Sequence, residues 1–426
     1  MLISFKAKNW KSFPCLEFSS VAGKEQLHKE RVALINRPKM RLLPISAIYG
    51  GNASGKSNFF EALAFARKYI VDGVKPSQGI GVKPFALSFE LSKKSTSFEF
   101  EILVENRAWR YSFEVTRSEV LTESLFEILQ TVERPIFERI GEKIALKGKY
   151  ADIDSLKYVG KGTQRNLLFL TNSVFQRREE FQSIYNWFQN NLLLIAPNAS
   201  CNTFEMYAND LCPFQPQNQE ALDAFDVGIE KIDVKEVSLD QLPFQVNVKL
   251  QSESDNFPEA TLFQIGPYLV RKKGDATSVS KMVAVHAMEG SSDQKTLFEL
   301  ADESDGTCRL LDLIPAFTFL KDPQQGRVVF IDEIDRSLHH LMTRKLIEDY
   351  LDFCTVDTRS QLFFTTHDAL LMDQSLLRRD ELWLVEKNND CSSLFSVGDF
   401  NIRHDKSLLN AYLYGRFGGV PHLTRR

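Results

Sequence analysis

The chain has 426 residues, 43% of them apolar and 25% charged, with a formal net charge of −4, the make-up of an ordinary globular protein with room for one large domain or several smaller ones. The mild acidity removes a global basic field as an argument for nucleic acid. No apolar run approaches the ~18 residues needed to span a bilayer, and Met1 to Lys11 lacks a signal-peptide pattern, so a cytoplasmic protein with no membrane partner is expected.

Met1 to Lys8 alternates apolar and polar residues and predicts a strand, with a partner at Leu16 to Phe18. The cations Lys24, Lys29, Arg31, Arg37, Lys39 and Arg41 follow; a solvated face is the plain reading, a local nucleic-acid contact the sharper one. Leu42 to Tyr49 reads as a buried strand and Asn58 to Ile70 as a helix with Phe59, Phe60, Leu63 and Phe65 on its apolar side. Between them stands Gly50-Gly51-Asn52-Ala53-Ser54-Gly55-Lys56-Ser57, a complete G-x-x-x-x-G-K-S phosphate loop in the strand, loop, helix context that a chance match lacks. Gly50 and Gly55 let the backbone curl so that N–H groups point at phosphate oxygens; Lys56 reaches the β- and γ-phosphates, and Ser57 offers a hydroxyl to Mg²⁺. Gly50, Asn52, Ala53, Ser54, Gly55, Lys56, Ser57 and Asn58 are thus assigned to nucleoside triphosphate binding, with ATP and Mg²⁺ as cofactors.

Two alternating runs, Phe98 to Ile102 and Trp109 to Phe113, flank Glu105-Asn106-Arg107 and predict a hairpin; further strands follow through Leu146, giving an antiparallel sheet over about 85 to 150. Arg165 to Gln189 reads as helical, Asn218 to Val248 as a helix and a strand, and the polar stretch Gln251 to Ala276 as exposed loops. From Lys281 the expected elements are strand 281–287, helix 307–319, strand 327–331, helix 340–354 and strands 361–366 and 381–386. The expected fold is α/β: a P-loop ATPase core split into 1–150 and 281–426, an antiparallel β subdomain, and an inserted α/β region, 151–280, for dimerisation or partner docking. Cys15, Cys201, Cys212, Cys308, Cys354 and Cys391 contain no C-x-x-C pair and read as reduced core thiols.

Arg327 to Ile331 is a short apolar strand ending in Asp332-Glu333, and the C-terminal end of a buried parallel strand is where ligands bind. Asp332 is assigned to Mg²⁺ and Glu333 to polarising the attacking water, against the plain reading of a polar turn. His367, at the end of strand 361–366, is the candidate for contact with the γ-phosphate or that water, although a lone strand-end histidine is more often a surface residue. His339 and His340 read as exposed residues at a helix start. Glu303-Ser304-Asp305-Gly306-Thr307 opens the helix before Asp332; Ser304 is either a plain N-cap or, with Gly306, part of an anion site at a helix N-terminus.

A phosphate loop, an acidic-pair strand, an Asp-containing loop and a strand-end His in this order resemble the ABC type of ATPase, in the branch that includes DNA-repair and chromosome-maintenance ATPases. More narrowly the chain is similar to OLD-like AAA family ATPases of prokaryotic defence loci. The matching features are Asn9-Trp10-Lys11-Ser12-Phe13, the phosphate loop, Pro84-Phe85, Glu303 to Thr307, Ile331 to His339, Thr365 to Asp368, and Tyr412 to Pro421. The resemblance implies that Lys11 joins the nucleotide-binding set. It also implies a homodimer or higher homo-oligomer in which Ser304 and Gly306 of one subunit meet the nucleotide of the other, although Glu303 to Thr307 lacks the usual double glycine. OLD nucleases carry a C-terminal nuclease domain, whereas this sequence stops at Arg426. The resemblance therefore implies a regulatory or sensor ATPase of anti-phage defence controlling a separate effector protein, a nuclease or toxin, with DNA or a phage protein as trigger. A DNA-repair or chromosome-maintenance ATPase that clamps DNA on binding ATP is the alternative, and a nucleotide-gated scaffold the third.

Overall fold

The alternating N-terminal residues form β1 (Leu2–Trp10), which turns at Lys11 into β2 (Phe13–Ser19), with Phe5 opposite Phe18 and Ala7 opposite Leu16. The computed structural model describes residues 1–197, 216–254, 260–265, 268–273, 276–288, 291–322, 326–400 and 408–419. Next come β3 (Ala33–Asn36), β4 (Lys39–Leu42), β5 (Ile45–Tyr49) and α1 (Lys56–Asp72). A run of strands follows: β6 (Thr96–Val104), β7 (Arg107–Val115), β8 (Val120–Ile128), β9 (Glu133–Ile140) and β10 (Lys143–Leu146). The chain continues through α2 (Asp154–Gly162), α3 (Phe169–Phe175), α4 (Gln182–Asn186), β11 (Leu192–Ile195), α5 (Pro216–Asp223), β12 (Lys231–Val237) and α6 (Phe244–Ser254). Then come β13 (Ala260–Ile265), β14 (Tyr268–Lys273), β15 (Ala276–Met288), β16 (Ser291–Glu299) and α7 (Asp305–Leu320). The last described elements are β17 (Val328–Ile331), α8 (His340–Phe353), β18 (Gln361–Thr365), β19 (Leu382–Asn388), β20 (Cys391–Ser396) and α9 (Leu408–Leu413).

Two compact units are present, one made of Met1–Ala196, Leu320–Ile334 and Ile347–Arg426, the other of Pro197–Phe319 and Asp335–Leu346. The first holds two sheets. One is antiparallel, in the order β10-β9-β8-β7-β6-β1-β2; the other runs β11-β17-β18-β5-β19-β20, with every pairing parallel except that of β20. The α/β class and the antiparallel sheet expected from sequence are thus both present. Helix α1 lies between the sheets: the Phe59 ring meets Phe5 and Phe18 of the antiparallel sheet and Phe330 of the parallel one. Burying one such phenylalanine contributes about 1.5–3 kcal/mol, and the aromatic cluster around Phe59 ties α1, and the loop before it, to both sheets.

The β6–β7 hairpin has Glu105 and Asn106 at its tip, both in the left-handed region, the backbone of a two-residue turn that follows strand twist. The helix expected over 165–189 is broken. Arg177 is left-handed, and Arg178 N donates back to the Ser173 carbonyl, a C-terminal closure that ends α3; a short α4 and a π turn, Trp187–Asn191, follow.

In the second unit β15 pairs with β12 along one edge and with β14 and β16 along the other. The strand expected at 281–287 therefore belongs to this antiparallel sheet and not to the parallel one. Within 251–276, the described residues form the end of α6 and the β13–β14 hairpin where loops are expected, because Ile265 and Val270 face a small core with Leu242, Leu250 and Val279. Of the cysteines, Cys354 is buried but Cys15 is exposed, so the core reading fails there; Cys201 and Cys212 lie outside the described residues, as do Val420 and Pro421. Arg31 also departs from a solvated face, being buried with its guanidinium donating to Glu381 and to the Leu376 carbonyl.

Candidate functional site

Three parallel strands define the site. β5, β18 and β17 are neighbours in that order, with Ile48 opposite Thr365 and Phe364 opposite Ile331, so their C-terminal ends open at one edge. From those ends emerge Gly50 and the loop to Ser57, the residues Thr366 and His367, and the pair Asp332 and Glu333. The sheet thus brings together, within the first unit, residues more than three hundred positions apart in the chain.

In the loop, Lys56 is buried and its Nζ donates to the carbonyls of Gly50 (2.7 Å) and Gly51 (3.2 Å). A lysine held over its own loop can exchange carbonyl oxygens for phosphate oxygens. Among the described residues Ser54 Oγ is buried without a hydrogen-bond partner, and no side chain caps the N-terminus of α1. Unsatisfied donors and a positive helix end converge where an anion would sit, so the loop fits a nucleoside triphosphate. Asn52 and Ala53 are exposed on its rim; Ser57 and Asn58 are half-buried on the first turn of α1.

The loop is braced from two remote segments through Ser392 and Ser12, residues to which sequence reasoning gives no role of their own. Ser392 Oγ of β20 donates to the Ser54 carbonyl (2.5 Å) and lies 2.7 Å from Ser12 Oγ in the β1–β2 turn. Ser12 Oγ accepts from Asn58 Nδ2 (2.8 Å), and Trp10 Nε1 donates to the Asn58 carbonyl (2.9 Å). Gly55 is set into this brace at φ 122°: a Cβ there would fall 2.5 Å from Ser392 Oγ. Lys11 sits beside the brace with its Nζ paired to Glu61 of α1; burial, and second the charge of Lys83, hold its ammonium below the ordinary lysine range.

Asp332 is buried and its Oδ1 accepts from the hydroxyl of Thr365 (2.5 Å). The same oxygen of Thr365 accepts from Glu333 N (2.7 Å), and the Thr365 carbonyl accepts from Ile334 N (3.0 Å). Glu333 is left-handed at φ 52°, a conformation that costs a non-glycine residue about 1–2 kcal/mol and turns the backbone where the strand ends. His367 is exposed at the end of β18.

Ser304 and Gly306 lie in the second unit. Ser304 Oγ accepts from Thr307 N (3.1 Å) and so caps α7, the plain role the sequence allowed. Gly306 packs against the loop after the acidic pair, where a Cβ would come 2.8 Å from the Ser337 carbonyl.

Residues 45–373 match the family described as "AAA domain, putative AbiEii toxin, Type IV TA system". The chain belongs to this family. Among solved structures it is similar to an SMC head domain from Thermotoga maritima, at 14% identity and TM-score 0.38 over 94% of this chain and 99% of that one. It is also similar to an SMC head bound to the C-terminal winged-helix domain of ScpA, at 13% identity and TM-score 0.40 over 96% and 99%. No curated protein matches it.

Proposed function

We propose that this AAA-family protein binds ATP with Mg²⁺, hydrolyses it slowly, and uses the cycle to regulate a separate effector in an anti-phage defence system. The observation that carries the chemistry is the convergence of the Lys56 loop, the Asp332–Glu333 pair and His367 on neighbouring strand ends. Bound MgATP would supply a γ-phosphoryl group open to in-line attack by water. Toward it, Lys56 and the loop N–H groups bind and orient phosphate oxygens, Ser57 and Asp332 offer oxygen ligands to the cation, Glu333 takes a proton from the attacking water, and His367 orients that water or a γ-oxygen. Lys11, paired with Glu61, is better suited to fixing the turn that carries Ser12 than to touching phosphate.

The regulatory reading draws on the family's description, which names a toxin of a toxin–antitoxin system, and on the similarity of the motifs to OLD-like ATPases. A DNA-clamping role keeps the exposed cations Lys24, Lys29, Arg37, Lys39 and Arg41 as its support, without Arg31. Residues 151–280, where the resemblance to OLD-like ATPases is weakest, are proposed as the docking region for the effector.

The test pairs two variants. ATP with Mg²⁺ at a hundred times its dissociation constant stabilises the natural chain by about 2.7 kcal/mol, and Lys56→Ala loses most of that gain. Glu333→Gln keeps the gain and slows hydrolysis roughly a hundredfold or more. A melting shift unchanged in Lys56→Ala, or natural turnover in Glu333→Gln, refutes the assignment.

A further inference from the structure

We infer that Thr365 is the positioning residue of the acidic pair, a role that rests on the ATPase reading above and specifies how its cation side is built. Thr365 is fully buried on β18, between the loop strand β5 and the acid strand β17, and its hydroxyl touches both acidic residues. A hydroxyl carries one proton and two lone pairs. An ionised Asp332 only accepts, so the proton goes to Asp332 Oδ1 and a lone pair receives the N–H of Glu333. The direction of both bonds is thereby fixed.

Each bond has a consequence. The first holds the Asp332 carboxylate at one rotation about its terminal torsion, which is otherwise soft, so that it presents a set face to a cation. The second anchors the backbone of Glu333 in its left-handed turn, so that the proton acceptor leaves the strand end in a defined direction. Valine at this position would keep the β-branched shape that suits a central strand but would remove both the acceptor that Thr365 offers to the half-buried Glu333 N–H and the hydroxyl it donates to Asp332. Serine would keep both bonds.

The experiment titrates Mg²⁺ against the full chain with ATP held constant, reading the nucleotide-induced melting shift, and measures turnover in parallel. In Thr365→Val the half-saturating Mg²⁺ concentration rises about tenfold or more, the usual cost of losing a partner behind a metal ligand. Turnover at saturating Mg²⁺ also falls, while the shift given by ATP in chelator remains, because the Lys56 loop is untouched. Thr365→Ser restores the Mg²⁺ response, and Thr365→Cys, a weak donor and acceptor of similar volume, falls between; this pair carries the test if the valine variant fails to fold. A natural Mg²⁺ response in Thr365→Val, or in Thr365→Cys with no difference from Thr365→Ser, overturns the role of Thr365 while leaving the ATPase reading standing. A natural chain with no Mg²⁺-dependent nucleotide response overturns the ATPase reading itself and this inference with it.

Discussion

Gly55 shows how much of the phosphate loop is decided by contacts outside it. Its φ of 122° and the 2.5 Å approach of a Cβ to Ser392 Oγ make any side chain there strained and crowded at once. Gly55→Ala is therefore expected to cost about 1–3 kcal/mol in chemical denaturation and to weaken nucleotide binding. Removing the nearest obstacle separates the two causes: in a Ser392→Gly background the closest contacts go, Ser12 Oγ remains at 3.1 Å, and the cost of Gly55→Ala falls toward the backbone part. Equal costs in both backgrounds would show that Ser392 is no obstacle. Lys56, Asp332 and Glu333 are legible in the sequence because each belongs to a short contiguous pattern whose spacing carries the chemistry. Ser12, Ser392 and Thr365 are not. Each is an ordinary hydroxyl, and only strand register places it within hydrogen-bond distance of the loop or of the acidic pair.

Between elements the same distinction holds. The Phe98 to Phe113 hairpin and α1 announce themselves through alternation and through the turn or glycines at their ends, whereas the four-residue apolar β11 has no counterpart in the sequence reading, since so short a run does not tell strand from helix. The polar β13–β14 hairpin is hidden because its stability comes from five apolar residues spread over four segments. Equally invisible is the clasp between the segment before β3 and the turn before β19. Arg31 donates to Glu381, Arg378 donates to Asp380 and to the carbonyls of Glu25 and Leu27, and Gly23 N donates to Asp380. Burial pushes the Glu381 carboxyl from its ordinary 4.5 up to about 7, against the pull of Arg31. Between those values the folded chain keeps a proton that the unfolded chain has released, so the stability due to this group is greatest below about pH 4.5, declines as pH rises through the window, and levels off above about pH 7. The melting temperature of the natural chain relative to Glu381→Gln should therefore fall between pH 5 and pH 7. A difference that stays constant over that range would rule out titration of Glu381 as its source.

For the whole molecule the open matter is how many chains complete one site. The first unit holds the phosphate loop and the residues proposed as cation ligands and base, whereas Ser304 belongs to the second unit, where it caps α7. A Ser-Gly element at a helix N-terminus that serves a nucleotide held by another copy is what the similarity to ABC-type ATPases implies, and a cap alone does not require it. The substitution Ser304→Asp tells the two roles apart, since aspartate caps a helix as well as serine does but places a carboxylate where a γ-phosphate would approach. A structural cap predicts that Ser304→Asp leaves both stability and turnover near natural values. A contact across subunits predicts natural stability with turnover strongly reduced, and it makes a further demand. Mixed with Lys56→Ala, which lacks the loop cation but keeps Ser304, the Ser304→Asp chain should regain activity, because a heterodimer joins one intact loop to one intact Ser304. With statistical exchange and two equivalent sites per symmetric dimer, the mixture should reach about a quarter of natural turnover where each variant alone shows almost none. Silence from the mixture, after subunit exchange has been shown by mass-tagged chains, would mean that each chain completes its own site.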